Sequence, residues 1–343
     1  MINVFTSQNN KWNEYIQYMP IEYRDIYYTL DYHKLYEKRG KSEARCFVYE
    51  DGEKIALYPF LLNKIENENL KEDYFDIETV YGYTGPISNS NDKNFLSSFE
   101  NEFLNYCKSN NILAEFIRFN PLIDNINIFK HNIEILKNRT TVIVNLDKDI
   151  QSIWENSISS KNRNMIRKAE KFGLKVRKSN DYSAFKKIYY KTMEKVKASS
   201  FYYFGDEYFE NISKSDNCIL FEVVLNDEVI AGGLFLKYGQ YFHYHLSGSL
   251  SEYLKYAPNN LMLMEAIKYA KSIGLKKMHL GGGITSDPQD RLFKFKKSFS
   301  KQTLDFYIGK RVHNEQIYNK LCDEWLLNNP DKNPVYFLLY KQR

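Results

Sequence analysis

Cysteine is scarce and scattered. Cys46, Cys107, Cys218 and Cys322 are the four in 343 residues, and no two stand at a metal-binding or redox spacing. A disulfide scaffold is therefore not expected, and the thiols read as reduced and mostly buried, as in a cytosolic protein. Long apolar runs are missing as well. No stretch is apolar for the length a bilayer demands, and Met1-Ile2-Asn3-Val4-Phe5-Thr6-Ser7-Gln8 has neither the charged flank nor the apolar run of a signal peptide. A membrane-spanning reading is excluded, which leaves peripheral association at most. Nor does one sign of charge dominate: 48 basic residues against 43 acidic give +5, which permits an anionic partner without demanding one. No Ser-His-Asp order and no nucleophile elbow is visible, so a covalent enzyme intermediate is not expected.

What is present is an ordinary globular composition, 43% apolar, in a chain long enough for two domains with a core each. The elements come in a repeated order. In the first half, helices over 11–18 and 30–38 precede Cys46–Glu50, an Asp51-Gly52 turn, and a second strand over 54–62, a hairpin by its turn signal. A strand over 74–83 follows and ends in Tyr81-Gly82-Tyr83-Thr84-Gly85-Pro86. Next come a helix over 94–108, with Phe95, Phe99, Phe103 and Cys107 on one stripe, and a strand over 113–119. The second half repeats this. Strands over 218–225 and 229–238 flank an Asn226-Asp227 turn, and a strand over 241–248, a helix over 260–272 and a strand over 276–280 follow. Such doubling implies duplication. The reading is an α+β fold of two similar units, 1–147 together with 311–343, and 148–310, each a mixed, mostly antiparallel sheet flanked by helices. The tail adds a helix over 315–327 and a strand over 335–340, which have no counterpart in either copy.

Two stretches carry candidate chemistry. Gly281-Gly282-Gly283 sits at the end of the last strand of the second copy, and a loop with Asp287 and Asp290 leads to Leu292-Phe293-Lys294-Phe295-Lys296-Lys297-Ser298-Phe299. Glycines there allow close approach to the main chain, and buried aromatics would fix the interleaved lysines Lys294, Lys296 and Lys297 beside the strand end. The other stretch is a helix from Ser159-Ser160 to Gly173, with cap residues at both ends. Ile158, Met165, Ile166, Ala169 and Phe172 make its apolar face. Arg163, Arg167 and Lys171 recur every four residues on its flank, a candidate phosphate-binding face.

Taken together, the doubled units, Lys161-Asn162-Arg163-Asn164-Met165-Ile166-Arg167-Lys168-Ala169-Glu170-Lys171 and the glycine-rich strand end running into Phe295-Lys296-Lys297-Ser298-Phe299 resemble the FemABX family, and the related double-GNAT acyltransferases. The resemblance spans nearly the whole chain and is strongest from Trp154 to Phe299. It implies tandem GNAT-like domains, aminoacyl-tRNA as donor, no metal and no permanently bound cofactor. It also implies an acceptor amine on a lipid- or nucleotide-linked precursor of peptidoglycan, in cell wall biogenesis. By the same resemblance Phe295 and Lys296 fall on an aromatic–lysine pair near the tRNA acceptor end, and Tyr244 on a strand tyrosine facing the acceptor. Lys195 falls near a diphosphate-binding basic position, and Tyr81, Tyr83 and Gly85 on a segment lining the acceptor groove. Two features depart from the family: Ile87-Ser88-Asn89 lacks the aspartate frequent after this Gly-Pro, and no helical-hairpin arm fits between Phe172 and Asp181.

Amine attack on an activated acyl group needs a deprotonated amine, alignment and a stabilised oxyanion. Lys296, or main-chain N–H groups near Gly281–Gly283, is the candidate for the oxyanion; His243, His245 and Asp287 are candidates to relay the proton. The competing donor is acyl-CoA or an acyl carrier, in an N-acyltransferase acting on a sugar or peptide amine of the cell envelope. Where such enzymes place a glycine-rich phosphate loop, this chain has Lys255-Tyr256-Ala257-Pro258-Asn259-Asn260-Leu261, with Tyr256 a candidate substrate contact. The missing glycines count against CoA.

Overall fold

The computed structural model describes residues 1–38 and 41–342. The chain forms two units, one of Met1–Asn138 with Asp305–Arg343, the other of Arg139–Leu304. Strands β1 (Ile2–Thr6), β2 (Ser42–Asp51), β3 (Lys54–Lys64), β4 (Phe75–Glu78), β5 (Ile87–Ser88) and β6 (Ile112–Arg118) belong to the first. The chain then leaves it within β7 (Glu134–Asn145). Strands β8 (Lys175–Ser179), β9 (Cys218–Leu225), β10 (Glu228–Tyr238), β11 (Tyr241–Ser249) and β12 (Lys277–Gly282) belong to the second, and the chain returns within β13 (Thr303–Val312).

In the first unit the strand order is β1-β2-β3-β4-β6-β13, with β5 pairing β3. The Asp51-Gly52 turn closes the β2–β3 hairpin at Asp51↔Lys54, Gly52 taking the φ of +61° that a side chain resists. Helix Lys93–Ser109 links β4 to the parallel strand β6 (Ile77↔Glu115) and lays Phe95, Phe99, Phe103 and Cys107 on Phe47, Tyr58 and Phe129. This core is largely aromatic: the Phe103 and Phe129 rings stack with centroids 5.3 Å apart, and Tyr58 meets Phe103 edge-on at 5.1 Å.

The second unit repeats that order. Its hairpin β9–β10 turns on Asn226 and Asp227, both at positive φ (48° and 66°), a conformation short polar side chains tolerate. β11 pairs β10, helix Pro258–Ser272 crosses over, and β12 returns parallel to β11 and antiparallel to β7. In each unit the helix-linked pair is the parallel one. The duplicated order read from the sequence is present.

Four expected elements differ. The strand expected over 74–83 is confined to Phe75–Glu78. Gly82 (φ 130°) and Gly85 (φ 85°) bend the rest into a loop, and a Cβ on Gly82 would lie 2.2 Å from the Tyr27 ring. The helix expected over 30–38 ends at Lys34. The strand expected over 335–340 is absent. There the Gln342 side-chain oxygen accepts from the Val335 and Tyr336 N–H groups at 2.9 and 3.1 Å, which leaves no ladder, and a 3-10 turn spans Leu339–Lys341. The last strand of the second copy extends past Leu280 through Gly282.

Candidate active site

Parallel pairing of β11 with β12 covers three residue pairs and ends at His243↔His279. β11 continues along β10 to Ala231↔Ser249, so beyond His279 the two strands carry no further ladder. β12 meanwhile bulges between His279 and Gly281 against β7, with Gly281 at φ +74°. The strand end that carries the three glycines is thus a kinked terminus.

Space above two of these glycines is filled by the protein's own side chains. A Cβ on Gly282 would stand 2.8 Å from Arg139 Cδ and 2.9 Å from the Thr140 carbonyl, and one on Gly283 would stand 2.5 Å from Asp290 Oδ1. Arg139 Nη1 donates to the Gly283 and Ile284 carbonyls at 2.7 and 3.1 Å. Asp290 caps helix Arg291–Lys297, accepting from Phe293 N at 2.9 Å, and also accepts from Ile284 N at 3.1 Å and Thr285 N at 3.2 Å. Burial pushes the Asp290 carboxyl upward, but these backbone donors prevail and hold it below the ordinary aspartate range.

The cap aims the helix so that its sixth residue returns to the strand end. Lys296 is 8% exposed, and its Nζ donates to the Gly282 carbonyl at 2.8 Å, 5.7 Å from the centre of the Tyr244 ring on β11. Burial pulls its pKa from 10.5 to about 7, with Arg139 lowering it further and Asp290 opposing. Near neutral pH the same amine is therefore present both as ammonium and as free base. Tyr244, raised to about 12 by burial, bonds Ser247 Oγ at 2.5 Å.

Around this centre lie the other candidates of the second unit. His243 and His279 are buried neighbours, rings perpendicular and 5.7 Å apart, and His279 is held well below its ordinary value by burial, then by His243 and Lys296. His245 bonds the Tyr208 hydroxyl at 2.5 Å, and burial brings its pKa to about 3. Phe295 packs edge-on against Phe299 at 5.5 Å; Lys294 is exposed. Asp287 is exposed, its Oδ1 accepting from Gln289 N at 2.8 Å.

Helix Ser160–Lys171 buries Asn162, Ile166 and Ala169, whereas Phe172 is 48% exposed, so the apolar face is narrower than its spacing suggested. Arg163 Nη1 donates to the carbonyls of Trp154, Glu155 and Ile158 at 3.2, 3.0 and 2.6 Å, tying down the π-helical turn Ile153–Ser157. Arg167 is exposed, its guanidinium 5.2 Å from the Trp154 ring centre. Lys195 is the exposed last residue of helix Ser183–Lys195. Tyr256 meets Phe172 edge-on at 4.8 Å.

Tyr81, Tyr83 and Gly85 belong to the first unit. The Tyr81 carbonyl accepts from Tyr32 Oη at 2.7 Å, Tyr83 packs edge-on against Phe306 at 5.0 Å, and a Cβ on Gly85 would lie 2.8 Å from Asn125 Nδ2. Arg139 went unnoticed in the sequence. It lies within β7, just before the β-branched run over 140–144, and stands 157 positions before Lys296, so no local pattern ties the two.

Helix Pro258–Ser272 starts after Ala257, a non-glycine at φ +59°, with no side-chain cap and with a proline that brings no N–H. Asn260 Nδ2 donates to Asn162 Oδ1 at 2.7 Å, and Asn259 Nδ2 to Ser249 Oγ at 3.2 Å. Among the described residues no cluster could hold a metal ion, and no helix is long and apolar enough to cross a membrane.

Residues 159–297 match the acetyltransferase (GNAT) domain family. No curated protein matches the chain. In fold it is similar to FemX, with a TM-score of 0.69 and 16% identity over 93% of this chain and 99% of that one. It is also similar to L-PGS from Bacillus licheniformis, at 0.54 and 13% over 82% and 86% of the two chains. A tandem GNAT protein from the clavulanic acid biosynthesis pathway aligns at 0.50 and 6%, over 90% and 98%.

Proposed function

From a chain that is an acyltransferase, with a GNAT domain over residues 159–297 inside a tandem GNAT fold, we propose a narrower reading. It transfers an aminoacyl group from aminoacyl-tRNA to an amine of a nucleotide- or lipid-linked cell-wall precursor. The fold shared with FemX over nearly the full length of both chains supports this kind of chemistry.

The observation that carries the choice of donor is the start of helix Pro258–Ser272. A CoA-type pyrophosphate needs consecutive N–H groups presented at a helix start. Here that turn is made by Ala257, Pro258 and two asparagines whose side-chain amides bond Ser249 and Asn162. The first turn carries one donor fewer, and no glycine opens it.

The acceptor nitrogen attacks the ester carbonyl. Its N–C bond forms, the C–O bond to the tRNA ribose breaks, and the amine proton passes through Lys296 in its neutral form, through substrate groups or through water to the departing ribose oxygen. As ammonium, Lys296 opposes the negative charge on the carbonyl oxygen or on the terminal phosphate. Phe295 and Tyr244 frame the acyl end, and His243 and Asp287 are the further candidates to relay the proton. Arg163, Arg167 and Lys195 are proposed toward phosphate, and Tyr81, Tyr83 and Gly85 toward the acceptor.

The test incubates the purified chain with charged tRNA and, separately, with acyl-CoA, each with candidate amines. Consumption of the charged tRNA with product formation is expected. Turnover of acyl-CoA, or a large thermal shift with CoA alone, would replace this reading with the N-acyltransferase one acting on a sugar or peptide amine.

A further inference from the structure

At the C-terminal end of helix Ser160–Lys171 the surface carries apolar side chains among cations. Phe172 is 48% exposed and Leu254 is 42% exposed. The Phe172 and Tyr256 rings meet edge-on at 4.8 Å, which joins the helix end to the 3-10 turn Ser251–Tyr256. Lys168 Nζ lies 5.8 Å from the Phe172 ring centre and Lys255 Nζ lies 5.0 Å from that of Tyr256. Lys171 is exposed one residue before Phe172. The acids of the same stretch, Glu170 and Glu252, leave it net positive.

We propose that this face docks the protein on an anionic lipid surface. Phe172 and Leu254 enter the headgroup boundary while Lys168, Lys171 and Lys255 meet lipid phosphates. Apolar anchors flanked by lysines are the composition of an interfacial contact, and each cation near an anionic leaflet adds to its attraction. Lipid is favoured over nucleic acid by the same geometry. A base-stacking platform needs open ring faces, and here both rings carry an ammonium close to them. Leu254 offers no π-face and no hydrogen bond, so hydrocarbon is its fitting partner. The inference is independent of the donor, because binding is read without turnover.

The experiment sediments the full chain with vesicles of phosphatidylcholine alone and with an equal mixture of phosphatidylcholine and phosphatidylglycerol. Binding to the mixed vesicles, weakening as salt rises, is expected. Lys168→Gln, Lys171→Gln and Lys255→Gln together should weaken it on the order of a hundredfold, from about fivefold per charge. Phe172→Ser with Leu254→Ser should weaken it too while leaving the salt dependence in place. All five side chains are exposed, and an unchanged thermal midpoint confirms that the variants fold. Absence of binding to mixed vesicles, equal binding to neutral ones, or full binding by the charge variant overturns the proposal. So does capture of a short RNA duplex by these residues with no vesicle binding, which would assign the face to nucleic acid.

Discussion

A buried lysine stands against the kinked strand end of the second unit. Lys296 is buried with a carbonyl partner and no carboxylate in contact, and its pKa falls from 10.5 to about 7. The sign of its effect on stability follows. Between about 7 and 10.5 the unfolded chain holds the proton that the folded one gives up, so this residue's contribution rises with pH across that window, by up to about 1.4 kcal/mol per unit. Lys296→Met should therefore abolish transfer yet raise the melting temperature at pH 7, with the gap narrowing toward pH 10; scanning calorimetry across pH checks it. Unchanged turnover would remove Lys296 from the reaction. The glycines beside it answer to packing. Gly283→Ala sets a methyl 2.5 Å from Asp290 Oδ1 and should cost about 1–3 kcal/mol, measured by denaturant unfolding, whereas an exposed alanine would be neutral. From sequence, Lys296 and the three glycines stood out by composition and spacing. Arg139 did not, because its partners, the Gly283 and Ile284 carbonyls, are backbone atoms that every residue has.

At the level of elements, caps decide where side chains go. Asp290 starts helix Arg291–Lys297 and gathers the Ile284 and Thr285 N–H groups, so it sets the angle at which Lys296 returns to β12. Asp290→Ala should cost about 1–2 kcal/mol and lower transfer together with stability; Asp290→Asn, able to cap without charge, should recover most of the stability. Helix Ser160–Lys171 teaches a different lesson. Its basic flank reads as a phosphate face, yet Arg163 also holds three carbonyls of the turn before it. Arg163→Ala should thus destabilise by about 1–3 kcal/mol, while Arg167→Ala should leave the melting temperature unchanged and, if phosphate binds here, reduce the salt slope of tRNA binding. Periodicity places charges on a helix flank. It is silent on which of them the helix's own surroundings consume.

For the molecule as a whole, the duplicated order was legible because hairpin turns and apolar stripes are local patterns. The buried charge of the first unit was not. Glu100, Glu115 and Arg311 are all at most 2% exposed, with Arg311 Nη2 2.7 Å from Glu100 and its Nε 3.2 Å from Glu115. Burial alone would raise Glu115, but Arg311, His313 and Tyr58 together hold it below the ordinary glutamate range. Its contribution is thus present above about pH 4.5 and lost as pH falls through the lower folded value. Arg311→Met, which strands two buried carboxylates, should cost about 3–5 kcal/mol and move acid unfolding to higher pH, as circular dichroism against pH would show. The residues involved come from a helix and two strands up to 211 positions apart, a distance over which no pattern in the chain signals contact. By itself, then, the sequence determined the doubled order of elements, the helix faces and the glycine–lysine stretch, since those rest on the periodicity and backbone freedom of neighbouring residues. Only the tertiary structure decided that β11 and β12 part after His243, that Arg139 and Asp290 fill the space over the glycines, and that Lys296 loses much of its charge. Burial and long-range contact exist only once distant segments have met.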